Sequence, residues 1–216
     1  RMIRCVVFDF DGTLRQSVAI KHEAYFAAVR DIERGEELFR EIIREFPAMT
    51  RYSGCALFAE RARDLGIDCP DGEELAERYT RACEDAIAAC PEVLGSTAFL
   101  DWLQARPVYC FVVSGTPQTP LRETVKRIGL EGRFVDVLGD PVSKPEHYNN
   151  ILARTALPAT ALLAVGDGDD DKAAAEAVGG LFVRVRGGAG QPQTNECAVD
   201  ALDEITKILE LEFPGV

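Results

Sequence analysis

The chain has 216 residues, of which 47% are hydrophobic, so it is long enough for one α/β core with a small inserted domain and too apolar to be disordered. Its net charge of −12 disfavours nucleic acid and anionic membranes as partners, and no apolar run approaches the ~20 residues that span a bilayer. The seven cysteines form no Cys-x-x-Cys pair, which predicts free thiols in a reducing cytoplasm.

The first third of the chain predicts one strand followed by a block of helices. Residues 3–8 are a short apolar run that Asp-Gly ends at 11–12, which is typical of a buried strand. Residues 15–91 are rich in Ala, Glu, Arg and Leu with helical spacing and contain no segment typical of a buried strand. We predict helices at 18–33, 36–46, 53–66 and 72–89.

The rest of the chain alternates short apolar runs with helical segments. This alternation predicts a parallel sheet with right-handed helical crossovers. We predict strands at 108–113, 134–138, 161–165 and 181–185 and helices at 95–105, 118–128, 145–155, 170–178 and 198–210. The predicted fold is α/β, a doubly wound, Rossmann-like parallel sheet formed by residues 1–14 and 92–216, with a helical domain inserted at 15–91.

Polar side chains follow several of the predicted strands. Asp9 and Asp11 come after the first strand, Ser114 after the second and Asp167 after the fourth. Because ligands bind beyond the carboxyl ends of the strands in open α/β sheets, we expect these side chains to converge on one edge. One or two of the acids at 169–171 are expected to cap the following helix.

These residue types together suit phosphoryl transfer. Carboxylates gathered at the end of an apolar sheet need a compensating cation, and Mg²⁺ is the natural one because it binds carboxylates and phosphate oxygens together. Asp9 can then attack phosphorus and form an aspartyl-phosphate, while Asp11 protonates the leaving oxygen and later activates water. Ser114 and nearby amides can hold the phosphoryl oxygens, and Lys144 can balance the developing charge.

Four motifs resemble those of the haloacid dehalogenase superfamily of phosphohydrolases. They are Asp9-Phe10-Asp11-Gly12-Thr13-Leu14, Val112-Val113-Ser114-Gly115-Thr116, Lys144-Pro145, and the acidic segment from Val165 to Asp171. The resemblance covers residues 3 to about 185 and is strongest to the phosphoglycolate-phosphatase-like branch. It implies that the helical block is a cap, which in this superfamily closes over the site and selects the substrate.

The resemblance also implies roles for individual residues. Asp9 and Asp167 are expected metal ligands, Asp11 binds the metal through its backbone carbonyl, and Asp171 supports the metal site or the lysine of the third motif. Thr13 and Gly115 are expected to bind phosphate alongside the serine of the second motif. Gly168 departs from the Ser or Thr that is common in the fourth motif.

Other members of the superfamily remain to be weighed. A sugar phosphomutase of the β-phosphoglucomutase type shares all four motifs and stays an open alternative to the phosphatase. Dehalogenases lack the second acid, which is present here as Asp11, and phosphonate hydrolases need a cap lysine, for which this block offers Lys21 alone. A non-catalytic phosphate-binding protein has no need of the full charged set.

The substrate is expected to be a small phosphorylated metabolite, bound by a monomer or a homodimer. Arg51 and Tyr52 fall in a predicted break between helices. Arg51 is therefore a candidate substrate-binding residue, although a surface loop explains this position equally well.

Overall fold

A computed structural model describes residues 2–47, 49–187, 191–192 and 196–212. The chain divides into two compact units, one formed by Arg1–Gln16 with Cys90–Val216 and the other by Ser17–Ala89. These junctions lie two residues from those predicted at 14/15 and 91/92.

The first unit contains a six-stranded sheet in which every described pairing is parallel. Its order is β3-β2-β1-β4-β5-β6, with strands β1 (Cys5–Phe8), β2 (Tyr109–Pro117), β3 (Asp136–Asp140), β4 (Leu162–Gly166), β5 (Leu181–Val185) and β6 (Ala198–Val199). The central strands β1 and β4 are buried along their whole length, which explains why they are continuously apolar in sequence.

The α-helices of the described chain alternate with these strands in the first unit and fill the second. They are α1 (Val18–Ala28), α2 (Gly35–Glu45), α3 (Arg51–Asp64), α4 (Gly72–Ala89), α5 (Ser96–Gln104), α6 (Gln118–Arg127), α7 (Lys144–Thr155), α8 (Asp169–Val178) and α9 (Glu204–Glu212). None of them is long and apolar enough to cross a membrane.

Helices cover both faces of the sheet. On one face, Val7 of β1 packs in a buried cluster with Ile151 of α7 and Ala174 of α8. On the other, the ring of Phe8 lies 5.7 Å from that of Phe99 on α5. Successive residues of a strand point to opposite faces, so β1 anchors both layers. The predicted doubly wound parallel sheet is confirmed.

Two element predictions in this unit were wrong. β2 does not end at residue 113 but continues to Pro117, with a register shift relative to β3 between Val113 and Pro117. Its polar residues keep an extended backbone, although their type is typical of a strand end. The predicted helix 198–210 is instead the short strand β6 followed by α9, because a two-residue edge strand leaves no periodicity to detect.

The second unit is a block of four helices within the described residues. Its core is a stack of aromatic rings: Phe39 lies 4.7 Å from Tyr25 and 4.8 Å from Phe58, and Tyr25 lies 4.5 Å from Tyr79. Such pairs add about 0.5–1.5 kcal/mol each beyond the area that they bury. The first helix ends at Ala28, five residues earlier than predicted.

The placement of Arg51 between helices was also wrong. Arg51 is the first residue of α3, and Thr50 caps this helix by accepting a hydrogen bond from the Ser53 amide at 3.2 Å. A Thr at this position satisfies one of the amides that a helix start leaves unpaired.

Candidate active site at the carboxyl edge of the sheet

The centre of the candidate site is a group of three buried carboxylates. Asp9 follows β1, where its amide donates to the Val165 carbonyl of β4 at 2.9 Å. Asp167 follows β4, and Asp171 lies in the first turn of α8. One carboxylate oxygen from each of the three lies within 4.8 Å of the others. The structure thus brings together strand ends that are about 160 residues apart in the sequence.

Burial and mutual repulsion disfavour the ionised form of these carboxylates. Burial raises the pKa of Asp9 to about 8; Lys144 opposes this effect, and Asp171 and Asp11 add to it. Burial likewise raises the pKa of Asp171 to about 6 against the effect of Lys144. Three close, buried carboxylates are the oxygen donors that Mg²⁺ prefers, so the residues fit the ion that the family implies.

Lys144 supplies positive charge at the edge of this group. Its ammonium lies 3.1 Å from Asp9 Oδ1, 2.6 Å from Asp171 Oδ1 and 2.7 Å from Asp170 Oδ2. Burial alone would lower the pKa of Lys144, but the three carboxylates raise it well above its usual value. Lys144 therefore remains a cation, held at the first position of α7, where Ser143 caps the helix.

The three consecutive acids at the start of α8 have different surroundings. Asp169 accepts from Arg184 at 2.7 Å, Asp170 pairs with Lys144, and Asp171 both contacts Lys144 and belongs to the carboxylate group. Successive side chains of a helix point about 100° apart, which separates the three. Asp171 also accepts from the Gly168 amide at 3.1 Å, so it caps the helix as well.

Two glycines at the junction of β4 and α8, Gly166 and Gly168, lie close against carboxylates of α8. A Cβ at Gly166 would lie 2.4 Å from Asp171 Cγ, and one at Gly168 would lie 2.2 Å from Asp170 Oδ1. Real Cβ atoms do not approach other atoms this closely, so a side chain at either position would displace an acid. At position 168 the nearest atom is the end of the Asp170 side chain, so a side chain there would move this carboxylate from its present position.

Asp11 lies beside the carboxylate group but is not part of it. Its Oδ2 accepts a hydrogen bond from the Thr116 hydroxyl at 3.1 Å. The amide of Thr116 in turn donates to Ser114 Oγ at 3.2 Å. The residues after Val113 therefore connect the predicted phosphate-binding serine to the predicted general acid.

The other predicted phosphate-binding residues differ in exposure. Gly115 is exposed, and a Cβ added there would meet nothing within 4 Å. Thr13 is fully buried, and its hydroxyl has no hydrogen-bond partner among the residues described here. Contact of either residue with phosphate stays a prediction.

Arg51 is buried within the helical unit. Its guanidinium donates to the Thr80 hydroxyl at 2.6 Å and lies 4.9 Å from the centre of the Tyr79 ring. Tyr52 is half exposed and lines a groove of about 630 Å³ in the same unit. Because the groove lining carries Glu60, Asp71 and Glu73 but a single arginine, it is poorly suited to an anion.

Three residues that contact the site were not found from the sequence. Thr116 stands in the second motif, but nothing in its spacing indicates a bond to Asp11. Asp170 was one of three acids that local pattern does not separate. Arg184 did carry a signal, since a charged residue inside the apolar run of β5 predicts a buried ion pair.

Known proteins resemble this chain along most of its length. A family model described as haloacid dehalogenase-like hydrolase matches residues 3–179. A phosphoglycolate phosphatase of Pseudomonas fluorescens is 27% identical over 221 residues, which cover 97% of this chain and 79% of that protein. One from Rhodospirillum rubrum is 25% identical over 223 residues, which cover 99% and 92%.

A solved structure agrees with the fold. CbbY from Rhodobacter sphaeroides, solved in complex with phosphate, superposes with a TM-score of 0.76 at 18% sequence identity, covering 94% of this chain and 96% of CbbY. At this identity the likeness concerns the fold. With the family match over residues 3–179, the resemblance predicted from the four motifs is confirmed, and the chain belongs to the haloacid dehalogenase-like hydrolases.

Proposed function

We propose that this hydrolase is a Mg²⁺-dependent phosphatase that cleaves a small organic phosphomonoester through an aspartyl-phosphate on Asp9. The observation that carries the proposal is the buried group of Asp9, Asp167 and Asp171, with Lys144 bonded to two of its members. The phosphoglycolate phosphatase relatives support a phosphatase, and the phosphate complex of CbbY supports a phosphorylated ligand.

The first chemical step falls to Asp9. Its carboxylate oxygen forms a bond to phosphorus as the bond to the ester oxygen breaks. Lys144 favours this step because its contact with Asp9 Oδ1 orients the carboxylate and opposes the effect of burial, which disfavours the ionised form. Asp9, Asp167 and Asp171 would hold Mg²⁺, together with the backbone carbonyl of Asp11. When bound, Mg²⁺ offsets the negative charge of the carboxylates and of the phosphoryl oxygens.

Asp11 moves the protons. It donates a proton to the leaving alcohol oxygen in the first step, and the resulting carboxylate accepts a proton from the water that attacks phosphorus in the second. That attack breaks the bond to Asp9 and releases inorganic phosphate. The hydroxyl of Thr116 donates to Asp11 Oδ2 and so fixes the side chain for both transfers.

Ser114 is suited to hold a phosphoryl oxygen. Its Oγ already accepts from the Thr116 amide, so its own hydrogen is directed elsewhere. A donor fixed in this way stabilises charge in the transition state without first having to reorient. The amide of Gly115 and the hydroxyl of Thr13 are the other donors that we assign to the phosphate.

Arg51 is our candidate for binding the part of the substrate that lies beyond the phosphate group. The guanidinium is buried, yet the partners found for it among the described residues are neutral, the Thr80 hydroxyl and the Tyr79 ring. A buried cation favours an incoming anion, because a buried charge is costly unless paired. This suits a substrate with a second anionic group, such as a carboxylate.

Our proposal for the setting of the enzyme rests on its cysteines. None of the seven, all of which lie in the described residues, forms a disulfide bond, which supports a reducing cytoplasm. We propose that the protein acts there as a monomer or a homodimer.

A panel of phosphomonoesters tests the proposal. With Mg²⁺, we expect phosphate release from at least one member of a set containing phosphoglycolate, sugar phosphates and nucleotides. The Asp9→Asn variant should fold and lose this activity by about 10³-fold or more, since the amide is not a nucleophile. Absence of cleavage of every ester by the wild type would contradict a phosphatase.

The same assay separates the phosphatase from the sugar phosphomutase. A mutase needs a bisphosphate activator and returns the phosphoryl group to a sugar hydroxyl, so it releases phosphate slowly. Fast, activator-independent release of phosphate supports hydrolysis. Interconversion of sugar monophosphates that depends on a bisphosphate would favour the mutase instead.

A further inference from the structure

Arg184 is a fully buried arginine in strand β5, next to the acidic loop formed by residues 167–171. Its side chain is 0% exposed and stands between Val183 and Val185 in an otherwise apolar strand. Taking a guanidinium out of water costs several kcal/mol, so it persists only where it is paired and hydrogen-bonded. The hydrogen-bond partners of its guanidinium therefore indicate the role of Arg184.

The guanidinium is bonded on two sides. On one side, Nε donates to Glu196 Oε2 at 2.8 Å and Nη2 to Glu196 Oε1 at 3.2 Å, a two-point contact with a carboxylate that is itself buried. On the other, Nη2 donates to Asp169 Oδ1 at 2.7 Å and Nη1 to the backbone carbonyl of Asp167, also at 2.7 Å. Glu196 thus orients the arginine toward the loop.

The bond to the Asp167 carbonyl has a particular consequence. This carbonyl and the Gly168 amide belong to one peptide group, and the amide donates to Asp171 Oδ2 at 3.1 Å. Arg184 therefore holds one end of the peptide and Asp171 holds the other. A peptide group that is held at both ends cannot rotate. The direction in which the Asp167 side chain projects from the backbone is therefore fixed as well.

We propose that Arg184 is a positioning residue for the metal site, acting through the peptide between Asp167 and Gly168. The inference rests on the proposed function in that Asp167 and Asp171 are taken as metal ligands. The positive charge also polarises the shared peptide, which strengthens its bond to Asp171. Glu196 holds the Arg184 side chain in this orientation, and Lys172 contacts the Glu196 carboxylate at 3.4 Å.

Metal binding without substrate is the direct test, with Mn²⁺ as the probe and electron paramagnetic resonance to count the free ion. Arg184→Met should weaken Mn²⁺ binding by about 10- to 100-fold, the range observed when a group that orients a metal ligand is lost. Arg184→Lys keeps the positive charge but loses the several fixed donors of the guanidinium. Its affinity for Mn²⁺ should therefore fall between those of Arg184→Met and the wild type.

The matched control is Arg186→Met. Arg186 lies two residues further along and also pairs with an acid, Asp200, at 3.2 Å, but the pair is exposed. Its loss should leave the Mn²⁺ affinity at the wild-type value. In steady-state assays, Arg184→Met should raise the Mg²⁺ concentration for half-maximal activity more than it lowers kcat at saturating Mg²⁺.

A double variant distinguishes a purely structural role of Arg184 from the proposed role in positioning the metal site. Arg184→Met leaves Glu196 buried with less compensation and risks poor folding, whereas Arg184→Met with Glu196→Gln removes both charges. The double variant should fold and still bind Mn²⁺ about 10-fold or more weakly. Wild-type affinity in the folded double variant, or in Arg184→Lys if the double variant does not fold, overturns the inference. A wild type that binds no Mn²⁺ contradicts the proposed function itself.

Discussion

Lys144 donates a hydrogen bond to Asp9 Oδ1 at 3.1 Å, across 135 residues of sequence. The contact joins the start of α7 to the end of β1 and places a permanent cation on the proposed nucleophile. The same ammonium reaches Asp171 and Asp170, so one side chain offsets the charge of three acids. Removing it should disturb both the chemistry and the fold.

Lys144→Met should lower kcat by about 10²- to 10³-fold, because a fixed donor aimed at developing charge is lost from a buried site. The metal-free variant should also be destabilised by about 3 kcal/mol, since breaking a buried ion pair leaves uncompensated carboxylates. Steady-state kinetics and urea unfolding measure the two effects. Exposed Lys126 on α6 supplies the control variant Lys126→Met, which should change neither; an equal loss in both variants would refute the assignment.

Mg²⁺ should stabilise the folded protein, because the carboxylate group exists only in the folded state. At a concentration 100 times its Kd, the ion should add about 2.7 kcal/mol to the free energy of unfolding. Asp167→Asn should lose most of this gain, and the exposed Asp68→Asn should keep it. Thermal unfolding with and without EDTA makes the comparison. Equal stabilisation of both variants would show that the ion binds elsewhere.

Thr116→Val should lower kcat by about 10-fold while leaving the fold intact. The change keeps the shape of the side chain but removes the hydrogen bond to Asp11 Oδ2, and a bond to a charged group contributes about 1.5–3 kcal/mol. Thr97→Val is the matched control, because the Thr97 hydroxyl also donates to a carboxylate, that of exposed Glu92. If both variants keep wild-type kcat, Thr116 does not position the acid.

Asp136 should make stability depend on pH. Burial alone would raise its pKa, but bonds from Arg154 and the Val137 amide, with the charge of Arg122, bring the pKa below its usual value. A carboxyl with a lowered pKa in the folded state stabilises the fold fully above its unfolded pKa of about 4, and this is lost as the pH falls through the folded value.

Asp136→Asn should therefore cost about 1 kcal/mol at pH 7, a modest value because the two arginines are half exposed. The difference from the wild type should shrink as the pH falls below about 4, because the unfolded carboxyl takes up a proton first and the native carboxyl follows at its lower pKa. Urea unfolding at pH 7 and pH 3 measures it. A difference that is constant with pH would mean that packing, and not charge, is responsible.

The sequence was sufficient for the sheet because its central strands are buried on both faces and therefore continuously apolar. Asp9 and Asp167 could be placed at one edge for the same reason, since both directly follow such strands. The end of β2 could not be predicted, because Ser114 and Thr116 favour a turn by type and yet remain extended. Residue type describes a preference that tertiary pairing overrides.

The contacts that orient the site were beyond local pattern. Arg184 and its partner Glu196 are 12 residues apart and meet through the pairing of β5 with β6, a strand too short to recognise. Arg51 was placed in a loop because Pro47 precedes it and Gly54 follows it. Thr50 instead caps the helix there, and Gly54 is accommodated inside it.

The acids at the start of α8 are alike in the sequence and unlike in the fold. Asp169 faces Arg184, Asp170 faces Lys144, and Asp171 completes the carboxylate group. One of these acids therefore cannot take over the role of another. Deleting one of them moves every following residue of the helix back by one position, about 100° around its axis, so a run that still carries two acids would not present them to the same cations and metal as before.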